Sequence, residues 1–579
     1  MHGKFLGTLI ALTILSHTAS GQFQPPQGSP TPGPMPPRDP SSRATIGKAR
    51  IQGRVIAADT GNPLRGALVQ VTAADLQVRR AASTDADGRY EVDALPAARY
   101  TLSVSKGGYV TLQFGQQRPF EQGRTLDLSD AQTVDRIDFA LPRGGVITGR
   151  LVDSFGDPIA GIRVDARRYQ YLPGGQRQLV PVGFFGVLAS DDRGQYRIYG
   201  LMPGSYVVAA SPAASSILVM PGPGGAMTSV SATAGFATTY FPGTASPDEA
   251  QTVTVMLGQE AVADFGLVGV KVARISGLVR DSQGKPFSAA TVTLRQNRMA
   301  GGEQPGFSQT GEDGAFTIAN VAPGEYVLDV RHMRRGPTPA NPEEFAALPV
   351  SVAGEDVTNL VITTSAGATV RGRVIFEGAK PPASGPLALR VIPSPAEPGM
   401  NFMPMGSQEN GLVDAEGNFQ ITGVSGNVLF RAGPLPPGWI QKRVTFGGRD
   451  ITDAALEVPL GDSLTGLEIV VSDRVTTLAG TVRNSRGELV TDYVLVVLPR
   501  HAKEGTSQLR FVGTARPDQQ GRFQMRGRPP GEYVAMAISS LDQSGAWDPS
   551  VQERVRRNGT PFVLREDESL TLDLQLSSD

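Results

Sequence analysis

Ile51-Gln52-Gly53-Arg54-Val55 and, further along, Asp87-Gly88-Arg89-Tyr90-Glu91-Val92 are the stretches on which the fold turns. In both, apolar and polar side chains alternate, the period of a strand with one face buried and the other wet. Between them, Gly61, Asn62 and Pro63 mark a turn, and Pro63-Leu64-Arg65-Gly66-Ala67-Leu68-Val69 runs into a second strand with Val69 and Val71 inward. The Asp-Gly ahead of Tyr90 is what a tight hairpin turn with a left-handed glycine requires.

Both signatures return to the end of the chain. The glycine strand recurs as Gly149-Arg150-Leu151, Gly277-Leu278-Val279, Gly372-Arg373-Val374 and Gly480-Thr481-Val482. The turn and aromatic strand recur as Arg193-Gly194-Gln195-Tyr196, Asp313-Gly314-Ala315-Phe316, Glu416-Gly417-Asn418-Phe419 and Gln520-Gly521-Arg522-Phe523. The opening glycines stand 96, 128, 95 and 108 residues apart, an internal repeat of immunoglobulin-domain size. Inward positions of the second strand are expected at Ile162 and Val164, Val292 and Leu294, Leu387 and Leu389, and Val494 and Val496. A Pro-Gly turn then leads to Tyr206, Tyr326 and Tyr533, with Pro96 and Tyr100 in the first copy and Val428 in the fourth. Such a tyrosine seals a Greek-key sandwich with its ring and reaches backbone with its hydroxyl. The expected fold is all-β, a tandem array of five immunoglobulin-like (prealbumin-like) antiparallel sandwiches over 47–142, 143–270 (with insertions), 271–367, 368–474 and 475–579.

Composition agrees. Gly (69) and Pro (45) are abundant among 579 residues, which suits short strands and tight turns. The net charge of −1 offers no basic excess, so nucleic acid is not an expected partner. With no cysteine, thiolate catalysis, disulfides and zinc–thiolate sites are excluded. Lys4, the apolar run Phe5–Leu15 and the small residues Thr18 to Gly21 read as a secretory signal over residues 1–21, too short to span a bilayer. Residues 22–46 read as a Pro-rich linker. The expected location is outside the cytoplasm of a bacterium: secreted, periplasmic or at the cell surface, with no stable membrane span after the signal is removed.

The combination of G-R-V, P-L-x-G-A-x-V, D-x-x-G-x-[YF] and P-G-x-Y resembles the carboxypeptidase regulatory-like domain, a relative of transthyretin and Cna-B repeats filed with carbohydrate-binding-like sandwiches. The resemblance implies the fold over almost everything after residue 47. It also implies a module that accompanies some other activity, such as a peptidase, an outer-membrane transporter or an adhesin.

No catalytic or metal site is expected, and no cofactor. His501 and Glu504 spell H-x-x-E, but no later histidine supplies the third ligand of a zinc peptidase. No G-x-S-x-G elbow is present. Asp85, Asp87, Asp191, Asp192 and Asp313 cluster before the aromatic strands, where a structural turn competes with calcium. The extra length of the second repeat falls in residues 167–190 and 211–243, which lack sustained alternation and read as loops built on a scaffold. Aromatics in loop-like contexts there and elsewhere, Tyr169, Tyr171, Tyr240, Phe241, Trp439 and Trp547, with Phe184 and Phe185, are the candidate binding residues for an extracellular carbohydrate or protein. The competing expectation is a passive spacer or adhesin-like stalk of sandwiches about 40 Å long each. More remotely, the chain would be an accessory subunit of a peptidase or an outer-membrane transport system.

Overall fold

The computed structural model describes residues 47–577 apart from 74–77, 183–188, 213–219, 222–226, 229–233, 297–305, 333–343, 379–388, 397–410, 437 and 502–506. The segments read as a signal and a linker, with Phe184, Phe185 and Glu504, lie outside the described residues.

The opening strand Ala49–Ala57 pairs antiparallel with the aromatic strand Arg89–Leu95 and parallel with the short closing strands Thr133–Val134 and Phe139–Leu141. A second sheet sets Leu68–Ala73 between Val78–Ser83 and Ala98–Ser105. Side chains of both sheets meet in one apolar cluster running from Ala49 to Leu141. Among the described residues, comparable clusters follow over 147–267, 273–362, 368–471 and 478–574. Sheets built on Gly145–Val152, Ala273–Arg280, Ala368–Glu377 and Thr477–Arg483 repeat the arrangement of the first.

The repeated glycine has a steric cause. Gly53, Gly149, Gly277, Gly372 and Gly480 lie opposite Tyr90, Tyr196, Phe316, Phe419 and Phe523 in register. A Cβ at these glycines would stand 2.0, 2.1, 2.2, 2.0 and 1.9 Å from the carbonyl oxygens of Ile137, Ala263, Leu360, Leu467 and Leu572. Only glycine lets the closing strand come that near, and the aromatic ring across the ladder covers the gap. Where the ring is tyrosine its hydroxyl donates to that same carbonyl, Tyr90 to Ile137 at 2.7 Å and Tyr196 to Ala263 at 2.5 Å. Burial pushes both of these phenols well above the usual tyrosine range.

The second tyrosine behaves uniformly. Tyr100, Tyr206, Tyr326 and Tyr533 donate to the carbonyls of Pro96, Met202, Ala322 and Pro529, four residues upstream in each case, at 2.5–2.9 Å. The acidic turns are also self-satisfied. Asp85 Oδ1 accepts the N–H groups of Asp87 and Arg89, and Asp191, Asp414 and Asp518 repeat the pattern.

Two expectations need correction. Residues 167–190 are not simply a loop: Ile162–Tyr171 runs on as a strand and pairs back with Arg177–Pro181. In the fourth segment the second strand is Arg390–Pro395 with Val391 buried, and Leu389 just ahead of it packs against the same core; Leu387 is outside the described residues. In the fifth, Leu495 and Val497 face the sandwich core, whereas Val494 and Val496 pack beneath the helix Pro549–Asn558. A strand apolar on both faces carries no readable period.

The array folds back on itself: the described sandwiches belong to one compact unit in which the first segment touches the last. Loop 113–124 makes the contact. Glu121 is 1% exposed and takes the Arg516 guanidinium, which also bonds Asp492 at 2.8 Å; Arg124 reaches Asp492 at 2.9 Å. Arg118 donates to the Ser539 carbonyl at 2.6 Å, and the Gln543 N–H to the Phe120 carbonyl at 3.1 Å. Phe120 lies under the Arg168 guanidinium of the second segment, 3.4 Å from ring centre to carbon, and Arg168 pairs with Asp542. No helix among the described residues is long and apolar enough to cross a membrane.

Candidate functional site

In the fourth segment, strand Ile440–Phe446 leaves the second sheet and pairs with Ser463–Ser472, widening the first sheet to five strands. That switch sets Ile440 and Lys442 opposite the last segment across a cleft of about 760 Å³, within the range of small-ligand sites. Asp450 on the short strand Arg449–Asp450 lines it with Thr452 and Asp453 from the loop that follows, together with Gln508, Arg510, Phe511 and Tyr533; Arg474, Glu532 and Glu566 also line it.

The cleft is held by bonds across the joint. Asp453 Oδ2 accepts from Arg510 Nη1 at 3.1 Å, and Asp453 Oδ1 lies 3.5 Å from Arg431 Nη2. Arg510 also donates to the Gln441 carbonyl at 2.9 Å, and its own carbonyl accepts from Arg528 at 2.8 Å. The Asp453 carbonyl accepts the Ser507 N–H at 2.6 Å. Burial raises the Asp453 carboxyl above the usual range, against the pull of Arg510 and Arg431. Burial likewise lowers the Arg431 guanidinium. At the edge, Lys442 Nζ bridges Glu377 at 2.8 Å and Glu566; these bonds raise the lysine and lower Glu566. Donors and acceptors of both signs thus stand side by side, Lys442, Asp450 and Glu532 on strands and Asp453, Arg474, Arg510 and Glu566 on the loops between them.

A second cleft of about 370 Å³ opens beside the first and shares Asp453 and Gln508 with it. Its other walls are the hairpin tip Pro173-Gly174-Gly175, Leu429, Leu509, and Trp547 with Pro549 at the start of the C-terminal helix. A Cβ on Gly175 would sit 3.5 Å from Pro549 Cγ, so the hairpin of the second segment closes against that helix.

The expected aromatic site residues are not brought together. Tyr240 is 1% exposed, because Thr239–Tyr240 joins the sheet beside Gly204–Pro212. Phe241 stacks edge-on to Phe265 at 6.0 Å over the second core. Trp439 is buried against Phe376, centroids 5.7 Å apart. Tyr169 has one face under the Arg177 guanidinium at 3.8 Å and donates to the Pro247 carbonyl at 3.1 Å. Tyr171 is half-buried in the hairpin opposite Arg177. Trp547 alone of the six lines one of these two clefts. Sequence reasoning missed Asp453 and Arg510, which lie in loops, and Lys442, which lies on the strand Ile440–Phe446; none carries a local signal that marks a cleft. His501 is 80% exposed and lies 3.9 Å from Glu532 at the rim of the larger cleft. Among the described residues, no three His, Asp or Glu side chains stand close enough to hold a metal ion.

The carboxypeptidase regulatory-like domain model matches residues 50–142 and 274–365, the first and third repeats. Among solved structures, a streptococcal ancillary pilin is 12% identical over 55% of this chain and 98% of its own, with a TM-score of 0.20. The minor pilin of Streptococcus agalactiae is 16% identical over 38% of this chain and 96% of its own, also at 0.20. A putative carbohydrate-binding protein of Pseudomonas aeruginosa is 17% identical over 16% of this chain and 89% of its own, at 0.12. No curated protein matches.

Proposed function

We propose that these carboxypeptidase regulatory-like repeats, taken as five sandwiches with joints near residues 143, 271, 368 and 475, form a non-catalytic exported protein. It binds a neutral extracellular carbohydrate in the cleft between the last two segments. The observation that carries this reading is the charge balance of the cleft. Lys442, Arg474 and Arg510 oppose Asp450, Asp453, Glu532 and Glu566. Such a lining has no strong excess of either sign, so it favours a ligand without net charge. Fixed carboxylate and guanidinium groups offer acceptors and donors at the spacing of neighbouring sugar hydroxyls. Ile440 and Phe511 supply apolar faces for ring C–H groups.

A passive stalk is less well supported, because a spacer gains nothing from tying its first segment to its last through a buried ion pair. The test is a glycan array followed by calorimetry on the full chain. The exposed edge variants Arg474→Ala and Glu566→Gln should weaken binding of neutral glycans by about tenfold or more with unchanged melting. Wild type that retains no glycan, or variants that bind as wild type does, would overturn the reading.

A further inference from the structure

We infer that the two clefts form one continuous groove and that the smaller is a second sugar subsite, built around Trp547 with help from the second segment's hairpin. This rests on the carbohydrate reading of the larger cleft. The clefts lie side by side and share Asp453 and Gln508 as walls, so a chain that leaves the larger one over that boundary reaches the smaller directly. The chemistry changes along the way. Charge pairs dominate the first, while Asp453 is the one ionisable group among the lining residues of the second. The rest of the second lining is apolar or uncharged, with Trp547 the aromatic platform and Leu509 the facing apolar surface, itself 51% exposed.

The platform is held in place from below. Trp547 ends a short 3-10 turn, and Asp548 caps the following helix by accepting the Ser550 N–H at 2.8 Å. The indole then packs over the cluster of Val494, Val496 and Val555. A half-buried indole fixed beneath and open above suits the C–H face of a pyranose, and its second wall comes from a segment some 370 residues earlier in the chain. Docking of the second segment on the last therefore completes the site rather than only stiffening the array.

The assignment makes affinity depend on ligand length. Neutral cello-, laminari- and chito-oligosaccharides, from disaccharide to octasaccharide, are titrated into the full chain by calorimetry. For the series that binds, Kd should fall by about tenfold or more from the disaccharide to the longest probe, the gain expected of one added aromatic contact. Trp547→Ala and, independently, Leu509→Glu should abolish that gain and leave disaccharide affinity as it was. Because Leu509 is exposed, the second variant stays informative if the first unfolds. Affinity independent of length, or a gain that survives both variants, overturns the second subsite while leaving the larger cleft as the binding site. Binding of none of the probes overturns both.

Discussion

Replacing Gly480 by alanine adds one methyl group at the point where the last sandwich is tightest. The new Cβ would lie 1.9 Å from the Leu572 carbonyl oxygen and 2.8 Å from Phe523 Cζ. The oxygen is backbone and cannot swing aside, so the closing strand must withdraw by more than an ångström. Withdrawal strains the bonds that hold it, Thr477 N–H to Glu568 O and Leu572 N–H to Ala479 O, both 2.8 Å. Phe523, 1% exposed, must move as well. Overpacking alone costs about 1–3 kcal/mol, and each weakened hydrogen bond adds about 1 kcal/mol, so the segment should lose about 3–5 kcal/mol. Gly487 is the internal control. It has φ +80° and open space around it, so alanine there costs only backbone strain of about 1–2 kcal/mol. Urea unfolding followed by tryptophan fluorescence reads the effect, since Trp547 packs beside this core and Trp439 lies in the preceding segment. The same substitution at Gly277 should leave the tryptophan transition almost untouched, because the two tryptophans of the chain lie outside that segment. A Gly480→Ala midpoint indistinguishable from wild type would refute the close-approach explanation of the repeat.

Other outcomes follow from particular contacts. Tyr100→Phe should cost the first sandwich about 0.5–1.5 kcal/mol in chemical denaturation, the net worth of its bond to Pro96. Burial raises the Tyr206 hydroxyl to about 12, so the folded state keeps a proton that the unfolded chain releases above about 10. That contribution is whole below pH 10 and is lost as pH rises towards 12, so stability should fall in that window, less steeply in Tyr206→Phe. Glu121→Ala removes one of the two carboxylates that hold the buried Arg516, leaving Asp492 at 2.8 Å, a loss of about 1–3 kcal/mol that should loosen loop 113–124 without unfolding the first sandwich. Hydrogen exchange should then quicken at the Gln543 amide, which is bonded to Phe120.

What could be read from the sequence is what repeats. The glycine–aromatic pairs and the tyrosines that follow the turn after the aromatic strand in four of the copies answer to local sterics, and local sterics leave residue-level signatures. The doubly buried strand Val494–Pro499 misled because both faces are apolar, one to the sandwich and one to the helix. Tyr240 and Trp439 looked like loop aromatics because short strands and partners far along the chain bury them, and no alternation announces either. Loop 113–124 showed no pattern at all. Its Glu121 finds Arg516 395 residues away, and complementarity over that separation is invisible to periodicity. The cleft residues were missed for the same reason, since Asp453, Arg431 and Arg510 converge only once two segments dock.

Closure of the first segment on the last underlies the whole account, and the absence of native cysteine makes it directly measurable. Thr514 Oγ1 lies 3.4 Å from Gln122 Oε1 across that contact. In the double variant Gln122→Cys, Thr514→Cys, a short bismaleimide should give an intramolecular cross-link, seen as a single-chain species of altered mobility whose yield does not depend on protein concentration. A chain that remains uncross-linked, or that links only to other copies as concentration rises, would contradict the closed arrangement.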